Sequence, residues 1–271
     1  MTATTIDAAS SARKGATIEA TGIQKLYPGG RSGVLALAGV DLRINSGAFV
    51  ALIGPSGCGK STLLRLLASI EEPTGGSVRI DGQPPARLAE AHGLGIAFQD
   101  HALMPWLSVR RNVALPYRLA GLQPDWDRVD QLVEMVGLSA FAAARPGQLS
   151  GGMRQRVSIG RALVLSPRLL LLDEPFGALD LVTRRRLNFE LQRIWSELGT
   201  TTLLVTHSVE EAVLLADEVH VMSSGPGRVV ETFAVAADRP RNHKYVQTDG
   251  YLDLCRAIGA SLDRAAGIGD A

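Results

Sequence analysis

The 271-residue chain has almost no net charge, almost no cysteine and no apolar run long enough to cross a bilayer. Its 28 basic residues face 27 acidic ones, a formal net charge of +1, so no global field draws it to DNA or RNA. Nucleic acid is therefore not an expected partner. The two cysteines, Cys58 and Cys255, cannot build a disulfide framework, which suits a reducing cytosol. The apolar run 169–172 is of strand length, far below the roughly 20 residues of a spanning helix. Any work at a membrane would pass through a partner. The first fifteen residues are rich in Ala, Ser and Thr, carry charges at Asp7, Arg13 and Lys14, and contain no apolar block. A disordered tail is expected there, and a secretory signal is not. No internal repeat is visible, and the length suits one large domain or one domain with an insert.

What is present begins with Gly54-Pro55-Ser56-Gly57-Cys58-Gly59-Lys60-Ser61-Thr62, which fits G-x-x-x-x-G-K-[ST]. The apolar run 49–53 before it reads as a buried strand, and residues 62–70 read as a helix opening directly after it. Glycines there let backbone N–H groups close around phosphates, and the helix N-terminus adds partial positive charge. Lys60 would supply a point charge for the β- and γ-phosphates, and the Ser61 hydroxyl is placed to hold Mg²⁺. These features predict a site for a nucleoside triphosphate. Cys58 reads as a small neutral filler of the loop.

Residues 17–53 alternate short apolar runs with turns at Pro28-Gly29-Gly30, Ser32-Gly33 and Ser46-Gly47, which predicts antiparallel strands leading into the loop strand. Residues 77–80, closed by Asp81-Gly82, predict another strand, and residues 95–98 a short one ending at Gln99. From about 107 to 165 the pattern is helical: Val129, Leu132, Val133, Val136 and Leu138 recur at three- and four-residue spacing, and residues 154–165 form a second run. Strands return at 169–172, 202–205 and 218–222, with a helix over 181–198. Strands alternating with helices imply a mostly parallel sheet, and the helical middle, about 100–165, reads as an insert into it.

Leu169-Leu170-Leu171-Leu172-Asp173-Glu174 delivers two acids to the C-terminal edge of that sheet, where ligands collect in open α/β folds. Asp173 is suited to organise Mg²⁺ through water. Glu174 can polarise a water aimed at the γ-phosphate.

Leu149-Ser150-Gly151-Gly152-Met153, followed by Arg154-Gln155-Arg156, resembles the signature motif of ATP-binding cassette (ABC) transporter ATPases. The rest of that family's set falls in order over about residues 17–230. Gln99 resembles the glutamine-loop residue that touches Mg²⁺ and the attacking water. Ala178-Leu179-Asp180 resembles the D-loop, and His207, after Leu203-Leu204-Val205-Thr206, resembles the switch histidine that contacts the γ-phosphate. Tyr27 sits where the family places an aromatic on adenine. One departure is Met153, where glutamine is frequent; a thioether cannot donate an amide's hydrogen bonds. Ser150, Gly151 and Gly152 remain to grip a γ-phosphate. The resemblance implies a P-loop ABC cassette: a mostly parallel core sheet, an N-terminal antiparallel β-subdomain and an inserted α-helical subdomain. The implied division is a tail over 1–16, the ATPase domain over 17–232 and a short C-terminal extension over 233–271. It also implies ATP and Mg²⁺, and two copies facing head to tail, each ATP held between one chain's phosphate loop and the other's signature.

Two classes stay open, a transporter motor and a soluble cassette ATPase. The two cassettes of translation-type members and the long coiled-coil insert of DNA-repair types are both missing, as is the fusion to membrane helices common in exporters. Gln99-Asp100-His101-Ala102-Leu103-Met104-Pro105-Trp106 and Ser223-Ser224-Gly225-Pro226-Gly227-Arg228 are similar to the importer branch for nitrate, taurine and other sulfonates. That implies a peripheral subunit at the cytoplasmic face of the inner membrane, an integral membrane permease and, indirectly, a solute-binding protein. Other importers, such as one for a thiamine-precursor pyrimidine, remain alternatives. Trp106, with Met104 and Pro105, either lines an apolar groove for a permease helix or caps the insert's own core. Residues 251–258 have mildly amphipathic spacing and predict a surface helix.

Overall fold

The computed structural model describes residues 15–29, 33–177 and 179–268. The expected tail up to residue 14, turn residues 30–32 and the D-loop's Ala178 lie outside the described residues. Ala16, assigned to the tail by the sequence, is fully buried. Its N–H donates to the Arg168 carbonyl, and its own carbonyl accepts from Thr201 Oγ1 at 2.6 Å.

Three antiparallel strands form one sheet: β1 (Ile18–Tyr27) lies between β2 (Val34–Ile44) and β4 (Gly75–Ile80). The second sheet has six strands, in the order β5-β6-β7-β3-β8-β9. They are β3 (Phe49–Ile53), β5 (Leu94–Ala97), β6 (Leu169–Asp173), β7 (Thr201–Thr206), β8 (Glu218–Met222) and β9 (Val229–Ala234). All neighbours are parallel except β8 and β9. Helices α1 (Lys60–Leu67) and α2 (Pro85–Glu90) follow β3 and β4. The insert holds α3 (Val109–Val113), α4 (Leu115–Leu119), α5 (Trp126–Met135) and α6 (Gly151–Leu163), and α7 (Leu181–Leu198), α8 (Val209–Leu215) and α9 (Asp249–Ala266) complete the chain.

The unbroken apolar strands separate two cores. Phe49, Ala51 and Ile53 of β3, with Leu170 and Leu172 of β6, face the cluster shared with the insert, α7, α8 and α9. Val50 and Leu52, with Leu169 and Leu171, face α1 and the antiparallel sheet. A period of two on strands buried on both faces requires apolar residues at every position, which is why these runs do not alternate with polar residues.

The C-terminal extension is more integrated than its sequence suggested. A boundary at 232 falls inside β9, and α9 packs on α8, β8 and β9. Tyr251 and Ile258 are buried in the first core, and the Tyr251 hydroxyl donates to the Glu210 carbonyl at 3.2 Å. Periodicity shows that a helix has an apolar face; it carries no information about what that face meets.

Candidate functional site

The loop after β3 turns sharply because of glycine. Gly59 has φ 100°, and a Cβ there would lie 2.6 Å from Leu37 Cδ2 and 2.9 Å from the Ala36 carbonyl of β2. No other residue fits that backbone and that approach. From the other side Gly227, in the Ser223–Arg228 segment, leaves so little room that an added Cβ would strike the Cys58 carbonyl at 2.0 Å. Gly227 also exchanges backbone hydrogen bonds with Ala36 and Ala38. The phosphate loop is thus braced between the antiparallel sheet and the loop after β8. Cys58 is buried and free, whereas Ser56 and Gly57 are exposed at the mouth. The Lys60 ammonium, itself buried, donates to the Gly54 and Pro55 carbonyls at 2.8 and 2.9 Å. Lys60 and Ser61 begin α1, so the helix N-terminus opens on the loop.

Parallel pairing brings the acids to this point. Asp173 ends β6 level with Val205 of β7, and Ile53 ends β3 level with Thr206. Ser61 Oγ donates to Asp173 Oδ1 at 3.1 Å. Burial pushes the Asp173 carboxyl above its ordinary value; the Ser61 bond opposes the rise, and neighbouring Glu174 adds to it. Glu174 adopts a left-handed backbone, φ 46°, with its N–H on the Val205 carbonyl. That turn swings its carboxylate toward two side chains from other elements. Oε2 accepts from Gln99 Nε2 at 3.4 Å and lies 3.5 Å from His207 Nδ1. Gln99, Glu174 and His207 therefore meet at one oxygen.

Tyr27 places its hydroxyl 2.7 Å from Glu71 Oε2 and 3.5 Å from Thr62 Oγ1. The Tyr27 bond, aided by Lys25 and Arg65, holds the Glu71 carboxyl below its usual value. Ser150 caps α6, its Oγ accepting from Met153 N–H at 3.3 Å. Gly151 and Gly152 form the first turn, and Met153 packs partly into the first core. Among the described residues no hydrogen bond joins Ser150 to the chain's own phosphate loop. Asp180 caps α7 through Thr183 N–H at 3.0 Å, a bond that lowers its pKa, and is exposed. Exposed Leu181 and Val182 follow it.

Several contributors had no signal in the sequence. Gly177 lines the site: a Cβ there would meet Glu174 Oε2 at 3.4 Å and His207 Cε1 at 3.5 Å, in ordinary contact. Arg184 donates to the Phe176, Gly177 and Leu179 carbonyls and holds the segment after Glu174. Glu211, in the first turn of α8, is buried; it accepts from the Thr206 hydroxyl, and burial pushes its carboxyl up to about 7. Trp106 is 66% exposed, so it does not cap the insert's core. Among the described residues no helix is long and apolar enough to cross a membrane.

A braced glycine loop opening a helix, with an acid pair at the end of a nearby parallel strand, defines an α/β phosphate-loop nucleoside triphosphatase. The ABC transporter family model matches residues 37–177. The nitrate import ATP-binding protein NrtD of Synechococcus elongatus is 43% identical over 237 residues, covering 84% of each chain. The taurine import ATP-binding protein TauB of Burkholderia pseudomallei is 44% identical, covering 82% of this chain and 85% of that one. Among solved structures, the dimeric ATP-binding cassette MJ0796, in a post-hydrolysis state with ADP and Pi, superposes with a TM-score of 0.74. It is 32% identical, across 82% of this chain and all of that one. The chain belongs to the ABC transporter family, and within it to the ATP-binding, ATP-hydrolysing subunits that power transport.

Proposed function

We propose that this ATPase drives a membrane importer for a small anion or sulfonate, of the nitrate or taurine type, working as a head-to-tail pair of copies on a permease. The nitrate and taurine import proteins among its relatives support that solute class. A solute-binding protein would deliver the solute, and the chain would sit peripherally on the cytoplasmic face of the inner membrane. Exposed Trp106 beside Pro105 suits a permease helix laid into the insert. Exposed Leu181 and Val182, directly after Asp180, suit a second copy.

The residues fit a magnesium ion. Ser61 Oγ and Asp173 Oδ1 already converge, and a cation would offset the cost of the buried Asp173 carboxylate. Among the described residues no group of three His, Cys, Asp or Glu side chains surrounds a metal position. Magnesium is commonly bound through one or two carboxylates, with phosphates and water completing its shell. Ser61, Asp173 and Gln99 would hold it, and when bound it neutralises charge on the β- and γ-phosphates.

The chain's own residues would do the remainder. Lys60 exchanges its two carbonyl partners for phosphate oxygens, and Tyr27 stacks on adenine. Gln99 and His207 orient Glu174 through Oε2, which leaves Oε1 to accept the proton of the attacking water. His207 then faces the γ-phosphate. Ser150, Gly151 and Gly152 present a capped helix N-terminus to the nucleotide of the other copy, with Asp180 beside it. Hydrolysis removes the phosphate that bridges the copies, so closure depends on ATP.

The convergence of Gln99, Glu174 and His207 on one oxygen carries this reading. Glu174→Gln is expected to bind Mg·ATP and form a stable dimer while turnover falls by about 10² or more. Wild-type turnover in that variant removes Glu174 from its role.

A further inference from the structure

The loop after Gln99 is fastened to α6 at both ends of the helix. His101 Nδ1 lies 3.2 Å from the Gln99 carbonyl oxygen, and its Nε2 lies 3.2 Å from the Gly151 carbonyl oxygen. Each neutral tautomer donates to one of the two, and the imidazolium to both. At the far end of α6, Arg161 donates to the Ala102 carbonyl at 2.7 Å and to the His101 carbonyl at 2.6 Å. The anchoring residues Gly151 and Arg161 are roughly 15 Å apart along the helix axis.

The loop between them is held in a shape it would not adopt alone. Ala102 has a left-handed backbone, φ 44°, and its N–H donates to Asp100 Oδ1 at 3.3 Å. Such a residue persists only where its surroundings over-determine it. Further on, fully buried Asn112 of α3 accepts from Met104 N–H and donates to the Met104, Leu107 and Ser108 carbonyls. The chain from Gln99 past Trp106 is therefore strung between α6 and α3 by side chains bonding to its backbone.

We propose that His101 is a positioning residue that joins the two halves of the ATP machinery. It sets Gln99, at the chain's own phosphate site, in fixed relation to Gly151, at the helix start that serves the other copy's nucleotide. The inference rests on the ATPase reading above. Arg161 shares the task from the far end of the helix, where it is partly buried and burial lowers its pKa. Removing it would release the left-handed turn at Ala102 along with both carbonyls, so its variants report on the folding of the loop as well. His101 makes one bond to its own loop and one to the first turn of α6, so its substitution is expected to spare the fold.

The test uses the full chain with His101→Ala and His101→Gln, each alone and combined with Glu174→Gln. Binding of a fluorescent ATP analogue to the monomer is expected to stay within about twofold. Losing one bridging hydrogen bond should lower kcat about tenfold and raise the ATP needed for dimer formation in the Glu174→Gln background by a similar factor. KM for ATP, which reports closure as well as binding, should rise with that dimerisation requirement while the affinity of the monomer does not. Gln, whose amide nitrogen carries two donors, should recover about half or more of the lost turnover.

The proposal is overturned if His101→Ala hydrolyses and dimerises like the wild type. It is equally overturned if monomer binding falls in step with turnover, or if Gln rescues nothing. A wild-type chain that ignores Mg·ATP strikes the ATPase reading and this inference together. An active wild type with an indifferent His101→Ala strikes this inference alone.

Discussion

The phosphate-loop end of the sheet and the helical insert hold their polar groups in place by opposite means, and in the proposed function both would present them to a nucleotide. At the sheet end the groups are delivered by adjacent parallel strands whose register leaves little freedom. Asp173 and Thr206 stop at nearly the same level, and Ser61 reaches Asp173 directly. The site there is half-buried and internally bonded. At the insert, Ser150 and Gly151 sit at a helix start with no hydrogen bond from Ser150 to the phosphate loop among the described residues, and Trp106 stands in solvent. Position is held by side chains such as His101, Arg161 and Asn112 that bond to backbone far away in sequence. A region built by strand register is stiff by construction. One built by side-chain ties can shift as a body, which suits a surface meant to meet a second copy and a permease.

This contrast can be broken at several points. The largest effect is expected from Lys60→Ala, which removes the buried cation at the sheet end. Turnover should fall by about 10² to 10³ with folding intact, measured as ATP hydrolysis beside thermal unfolding. A fall below twofold would show the sheet end to be less decisive than its geometry implies.

Glu211 sharpens the contrast through pH. Its folded value of about 7 stands above the ordinary 4.5 because of burial. Between those values the native state keeps a proton that the unfolded chain has released, so stability falls as pH rises through that window and levels off beyond it. Glu211→Gln should abolish this slope and stabilise the protein by roughly 3 kcal/mol at pH 8. Denaturant unfolding at pH 5 and pH 8 measures both quantities, and an unchanged slope would place the proton elsewhere.

Two smaller effects belong to the insert. Ser150→Ala removes the α6 cap and should cost about 1 kcal/mol of stability, while weakening ATP-dependent dimerisation more than nucleotide binding by the monomer. Trp106→Ala should change stability by no more than about 0.5 kcal/mol, as expected for an exposed side chain. Its consequence should appear only with the permease present, as hydrolysis that no longer moves solute. A large loss of stability would return Trp106 to the core.

Much of the sheet was legible from residue pattern. The runs that became β3 and β6 are apolar at four or five consecutive positions, as strands buried on both faces of a parallel sheet require, and α7 has the limits expected for it from the sequence. Glycine and lysine spacing marked the phosphate loop because that chemistry is local, contained in nine consecutive residues. Tyr251 and Ile258 were visible as a stripe, yet their burial against α8 and β8 was not, since amphipathic spacing names a face without naming its partner. Ala16 gave no sign of its place against Arg168 and Thr201.

The arginines separate the two kinds of knowledge most clearly. Read along the chain, Arg161, Arg184 and Arg241 are ordinary charges on or near helices. In the fold each donates to several backbone carbonyls: Arg161 on the glutamine loop, Arg184 after Glu174, and Arg241, 2% exposed, on the end of α8. Composition and short-range spacing determined the phosphate loop, the acid pair and the alternation of strands and helices, because each depends on neighbours in sequence; the signature turn was visible through its family resemblance. Tertiary structure alone decided which carbonyls those guanidinium groups would find, that Gln99, Glu174 and His207 share one oxygen, and that His101 bridges two motifs. Those contacts join residues brought together only when the whole sheet closes, and no local preference encodes them.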